Sequence, residues 1–151
     1  MNSIVKTYQK VVKYPLGKHI FTRQVANRAP YFKTLRALIN DIKPHYAEVT
    51  LKKRKIVTNH IGTVHAIAMC NMCELAMGMA AESSIPSDRR WIPMGMNVNY
   101  LKKAETDLKA TCDLSKADWY QRDVDCFVSV RNTEDVEVMN ATIKLRVTDK
   151  K

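Results

Sequence analysis

The sequence is poor in the residues that build phosphate loops and aromatic platforms. Its four glycines are scattered over 151 residues, so no Gly-rich phosphate loop is present, and no parallel βαβ alternation surrounds one. That argues against the nucleotide-binding α/β folds. Aromatic residues make up 7%, and Tyr100, Trp119, Tyr120 and Phe127 fall on different inferred elements with no RNP-like or helix-turn-helix pattern, which argues against a nucleic-acid platform. Of the four cysteines, Cys70 and Cys73 form one CxxC, without a second pair or a His at zinc spacing. They read as small buried thiols in a reducing compartment, and no metal site is expected. No apolar run is uninterrupted: the longest, Val64 to Ala81, carries Asn71 and Glu74. The expectation is neither a signal peptide nor a transmembrane span, hence a cytoplasmic protein without membrane insertion. Acidic residues are scarce too, 15 against 25 Lys and Arg, and the net charge of +10 favours an anionic partner: nucleic acid, a membrane surface or a phosphate-bearing small molecule.

What is present fits a single domain, with 46% hydrophobic residues to form a core. Ile4, Tyr8, Val11 and Val12 predict a short amphipathic helix that Pro15 and Gly17 end. Ile20, Phe21, Gln24, Val25 and Arg28 continue at helical spacing, and Pro30 opens a further predicted helix with Phe32, Leu35, Leu38 and Ile39 inward. After Pro44 the period becomes two: Ala47, Val49 and Leu51 alternate with polar residues as in a half-buried strand. The cluster Lys52, Lys53, Arg54, Lys55 that follows reads as a solvated strand end. Beyond the apolar run, four more alternating segments follow, around Met96–Tyr100, Leu108–Leu114, Val124–Val130 and Met139–Val147, with a turn at 132–135. One wet face per strand and one element apolar enough to fill the other side predict an α+β hotdog fold, an antiparallel sheet wrapped around a central helix at 64–82. Residues 1–43 are expected to be an N-terminal helical extension and 44–151 the hotdog core.

Glu74 is the anomaly. A carboxylate inside a helix that is apolar nearly all round costs several kcal/mol unless it is paired or protonated. Either it reaches solvent or bonds Asn71 three residues earlier, or it has a chemical task.

The run Asn59, two residues, Gly62, Thr63, Val64, His65, with an acidic residue nine positions on at Glu74, resembles the N-x-x-G-T-x-H-G-G...D/E signature of hotdog-fold acyl-CoA thioesterases, the phenylacetyl-CoA thioesterase-like branch. Met96-Asn97-Val98-Asn99-Tyr100 is similar to that family's strand after the helix. The likeness covers roughly residues 45–148 and implies hydrolysis of an acyl-CoA to a free acid and coenzyme A, the latter as part of the substrate and not as a cofactor. On this reading Glu74 is general base or nucleophile. Gly62 allows a tight turn into the helix, and the amides of Ala66 and Ile67 form an oxyanion hole backed by the helix dipole. His65 polarises or orients the thioester, and Asn59 orients water or substrate. Nine residues at roughly 100° each put Glu74 about half a turn from His65, so the resemblance implies a homodimer in which one subunit's carboxylate faces the other's helix start, with tetramers as a further pairing. Asn71 and Gly78 share the stripe of Glu74, and Asn71 is a candidate to fix its carboxylate. For the phosphates of coenzyme A the resemblance implies Tyr100, Lys102, Lys103 and Lys116, with Arg89 and Arg90 as further basic options.

Two departures from the pattern stand out. Ala66-Ile67 replaces Gly-Gly after the His, so Ile67 narrows the approach to the amides, and Pro93 lies where some relatives carry a water-orienting Ser. These favour the alternative of a non-catalytic hotdog dimer that binds acyl-CoA, an acyl carrier or a hydrophobic acid. A dehydratase acting on a β-hydroxyacyl thioester is a further option on this fold, less well matched by the spacing. Met69, Met72, Met77 and Met79 are candidate walls of an acyl pocket or, more simply, core filling.

Overall fold

The computed structural model describes residues 2–150. Two helices, α1 (Ser3–Val11) and α2 (Gly17–Arg28), open the chain. Asn2 caps α1 by accepting from the Ile4 amide at 3.2 Å, satisfying one of the free donors of the first turn. Val5 and Tyr8 form its buried stripe, and Tyr8 meets Phe21 of α2 edge to face. Gly17 is required where the two helices meet, because a side chain there would overlap the backbone of Val11.

The helix predicted from Pro30 does not form. Pro30–Thr34 is one short 3-10 turn, Arg36 takes a left-handed φ of 50°, and the chain then enters strand β1 (Leu38–Lys43). The apolar residues at helical spacing serve a strand instead: a bulge between Ile39 and Asp41 shifts the alternation, so Ile39 and Ile42 both reach the core. Tertiary pairing outweighs local propensity here, and Asn40 and Asp41 are weak helix formers in any case. The sheet therefore begins at Leu38, inside the stretch read as a helical extension.

Strand β2 (Tyr46–Leu51) returns beside β1, and a short turn and loop lead to the central helix α3 (Ala66–Ser84). Strands β3 (Arg89–Tyr100), β4 (Leu108–Asp113), β5 (Asp123–Arg131) and β6 (Glu137–Asp149) complete one antiparallel sheet of order β1-β2-β4-β5-β6-β3. The expected alternation is borne out in β2, β4, β5 and β6, where Ala47, Val49, Leu51, Leu108, Ala110, Cys112, Val124, Cys126, Val128, Val130, Ala141, Ile143 and Leu145 are all buried, whereas in β3 Met96 and Val98 are half-buried and Tyr100 is exposed. The β5–β6 turn is closed by Asn132, whose Oδ1 accepts from the amides of Glu134 and Val136. Helix α3 packs against β1, β2, β4, β5 and β6, with Met72, Met77 and Ala80 fully enclosed. Burying each of the two methionines contributes about 1.5–3 kcal/mol. This is the hotdog-like arrangement that the pattern predicts, a six-stranded sheet on one central helix with helices added at the N-terminus.

The outermost strand, β3, pairs only with β6, and its register shifts between Pro93 and Gly95. It meets α3 through Trp91, whose Nε1 donates to Glu82 at 3.0 Å.

Candidate functional site

The start of α3 is built by a closed loop. Asn59 Oδ1 accepts from the amides of Ile61 and Thr63, its Nδ2 donates to Thr63 Oγ1 at 2.8 Å, and its backbone amide donates to the Thr63 carbonyl. Both ends of the side chain are thus engaged. Asn59 thereby shapes the loop that enters α3. Gly62 sits at φ +80°, a left-handed conformation that suits glycine, with open space where a side chain would be. The loop is pinned below by His65 N donating to the Val57 carbonyl and Val64 N donating to the Ala104 carbonyl, both at 2.8 Å.

His65 is the N-cap of α3. Its Nδ1 accepts from the Ile67 amide at 3.0 Å, so the neutral ring carries its proton on Nε2, available as a donor. The same bond uses the Ile67 amide, one of the two proposed oxyanion donors. The Ala66 amide has no protein acceptor among the described residues, and neither has that of Ala68 one turn position on. Ile67 itself is 59% exposed at the mouth, as its place in the sequence suggested. His65, Ile67, Ala68 and Asn71 line a groove of about 490 Å³ whose opposite wall is the segment from Tyr31 to Arg36.

Glu74 lies elsewhere. It is half-buried, forms no hydrogen bond or ion pair among the described residues, and burial raises its carboxyl pKa above the usual glutamate range. Asn71 does not bond it; Asn71 belongs to the groove at the helix start. Glu74 opens onto a second groove of about 440 Å³, mostly apolar, with Gly78 and Met79 of α3, Trp91 and Pro93 of β3, and Val25, Ala29 and Phe32 from the N-terminal segment. Sequence reasoning did not find that last wall, because nothing in the periodicity of residues 20–32 says which element they dock on. Met79 is the one methionine of the four that lines it; Met69, Met72 and Met77 are core.

In one chain, then, His65 and Glu74 serve different grooves. The Glu74 groove borders β3, whereas the lining of the His65 groove includes no residue of that strand. Trp91 and Pro93 border Glu74, whereas Tyr100 OH reaches Cys70 Sγ near the helix start at 3.7 Å. That bond and burial together raise the phenol pKa.

The basic residues expected to hold phosphates are not gathered together. Lys102 and Lys103 are exposed in the loop after β3, next to Ala104 and the helix start. Lys116 sits in the β4–β5 turn beside Asp113, at the end of β4 away from Leu108 and therefore at the far end of the sheet. Arg89 is committed to Asp149 at 2.7 Å and stacks over Tyr120, and Arg90 donates to Thr148 Oγ1. The cysteines are unpaired thiols, three of them buried, and among the described residues no cluster of three or more His, Cys, Asp or Glu is arranged to hold a metal. No helix among the described residues is long and apolar enough to cross a membrane.

Comparison with known proteins places this geometry in a family. A model of the family described as a domain of unknown function, DUF4442, matches residues 17–147. A structural-genomics protein of solved structure, APC5556, is 38% identical over 97% of this chain and 99% of its own, with a TM-score of 0.86. A thioesterase from Haemophilus influenzae superposes at a TM-score of 0.73 with 13% identity, covering 83% of this chain and 87% of that one. A thioesterase family protein from Silicibacter pomeroyi gives 0.71 with 20% identity, covering 85% and 96%. At such identities the last two establish the fold. No protein of curated function matches the chain. The chain belongs to the DUF4442 family and carries the hotdog-like fold of thioesterases.

Proposed function

We propose that the protein is an acyl-CoA thioesterase whose two active sites are each shared between the subunits of a homodimer. The observation that carries the reading is Glu74, a half-buried carboxylate without a partner that opens onto an apolar groove. A group so placed is costly as structure and apt as a base, since burial moves its pKa toward the working range.

The long edge of β3 supports the dimer. Ile92 and Met94 are 60% and 54% exposed there, on a strand with one neighbour, and an unpaired apolar edge is a template for another strand. Two copies pairing antiparallel along β3 about a twofold axis lay the Trp91–Pro93 end of one against the Tyr100 end of the other. In that arrangement the Glu74 of each subunit faces the helix start of its partner. There the Ala66 amide and the positive end of α3 stabilise the oxyanion, and His65 Nε2–H donates to the same oxygen. Glu74 takes a proton from water as that water attacks the thioester carbon and passes it to the departing sulfur, so that the free acid and the coenzyme A thiol are released; if Glu74 attacks directly, water then opens the mixed anhydride and supplies the proton of the thiol. The acyl chain lies in the groove beside Gly78, Met79 and Phe32. The phenylacetyl-CoA thioesterase-like branch is the one whose signature this site most resembles, a cytoplasmic location fits the composition, and dimers pairing into tetramers are compatible with the fold.

One observation favours a second reading. The Ile67 amide is engaged by His65, and the Ile67 side chain stands at the mouth, both of which suit a dimer that binds acyl thioesters without hydrolysing them. Turnover of a panel of acyl-CoAs by the wild type and by Glu74→Ala decides. Thiol release by the wild type, lost in Glu74→Ala, is the expected result. Binding without thiol release, or an equally active Glu74→Ala, overturns the catalytic reading.

A further inference from the structure

A third groove, of about 480 Å³, lies between α2, the 30–36 segment and the β1–β2 pair. Its charged lining has one sign: Arg23 from α2, Lys33 and Arg36 from the connection, Lys52 and Arg54 after β2, with His19 beside them. No Asp or Glu lines it, and among the described residues none of its Lys or Arg side chains forms an ion pair. Arg54 is held in place by donating from Nη2 to the Leu35 carbonyl at 2.6 Å, and Arg36 by a left-handed turn at φ 50°. Five side chains of like charge around one concavity repel one another, a cost that a multivalent anion offsets. Lys33 and Arg36 also line the groove at the start of α3, so these residues form a common border of the two grooves.

We propose that this basic groove binds the phosphates of the nucleotide portion of the thioester substrate, with the thiol-bearing arm passing Lys33 and Arg36 to reach His65 and Ala66. The identity of the ligand rests on the thioesterase reading; the charge and shape of the groove do not. The groove takes over the task that the sequence resemblance gave to Lys102, Lys103 and Lys116. Arginine in a concave setting also matches phosphate better than isolated exposed lysines do, because its fork donates two parallel hydrogen bonds.

The probe is adenosine 3′,5′-bisphosphate, titrated by calorimetry into the full-length protein at low ionic strength, so that the acyl groove plays no part. The double charge reversal Arg23→Glu/Lys52→Glu, at two exposed positions, is expected to weaken binding at least about tenfold. It is also expected to raise KM for an acyl-CoA by a similar factor at unchanged kcat. Lys102→Glu/Lys103→Glu is the comparison and is expected to change binding less. Wild-type protein that fails to bind the bisphosphate overturns the proposal. So does an Arg23→Glu/Lys52→Glu variant that binds like the wild type, or one that is outdone by Lys102→Glu/Lys103→Glu. Groove-dependent binding by a protein that hydrolyses no acyl-CoA supports the groove and removes the thioesterase reading, so the two fail separately.

Discussion

The sheet has two edges, and the chain treats them in opposite ways. Along β1 the backbone is covered: the Ile39 amide donates to Thr22 Oγ1 at 3.0 Å, and the Asn40 carbonyl accepts from Tyr8 OH at 2.7 Å. Along β3, twice the length, the outer edge is uncovered and carries exposed Ile92, Met94 and Tyr100. A free edge invites strand addition, and proteins that must not associate cover it or charge it. The N-terminal helices do the first for β1. The contrast supports the proposal that β3 receives a second copy of the chain, even though Pro93 and the adjoining register shift interrupt that edge, and the Glu74 groove borders it.

The sharpest way to break the contrast is to charge the open edge. Ile92→Asp/Met94→Asp is expected to halve the mass in solution and, since each site needs both subunits, to reduce thioester hydrolysis to background. A dimer that survives the change with full activity places the interface elsewhere. Next in size is the oxyanion donor. Ala66→Pro removes one N–H at the first position of α3, where proline is readily accepted, so the helix is expected to remain while kcat falls about 10²- to 10³-fold. Circular dichroism beside steady-state kinetics separates the two effects.

Glu74 gives a pH dependence with a definite sign. Burial raises its folded-state pKa, so kcat/KM is expected to fall, as pH is lowered, above the exposed-glutamate value of about 4.3. For stability the protonated form is the one the fold prefers. The contribution of Glu74 is therefore fully present below the unfolded pKa and is lost as pH rises through the folded one. Glu74→Gln is then expected to melt higher than the wild type at neutral pH and at the same temperature below the ordinary glutamate range, by thermal scans at both. A variant that gains nothing at neutral pH means the carboxylate is solvated or paired. The smallest effect belongs to the covered edge. Thr22→Val leaves the Ile39 amide without its acceptor and is expected to cost about 1 kcal/mol in denaturant unfolding, without altering the oligomer.

Much of this was legible in the sequence, and the failures have physical causes. Strands with one wet face show in a period of two, and Glu74 stood out because an acid in the middle of an apolar helix has few ordinary explanations. The segment from Pro30 was misread because Leu35, Leu38 and Ile39 satisfy a helical spacing equally well as a turn and a bulged strand, and only pairing with β2 chooses. The loop-shaping bonds of Asn59 were not legible because they run to its own loop backbone, which spacing does not reveal. The basic groove was invisible because Arg23, Lys33 and Lys52 are far apart along the chain and meet only when α2 docks on β1. Lys116 shows the converse: spacing does not tell which end of the sheet a turn occupies, and the turn after β4 lies away from the helix start of its own chain.

The shared site is tested most directly by complementation. Glu74→Gln and Ala66→Pro chains, each inactive alone, are co-expressed and the mixed dimers assayed. If one subunit's Glu74 works with the other's helix start, each mixed dimer holds one intact site, and random pairing restores about a quarter of wild-type activity. Activity no greater than that of the two parents contradicts the account, because it means that each subunit needs both groups of its own.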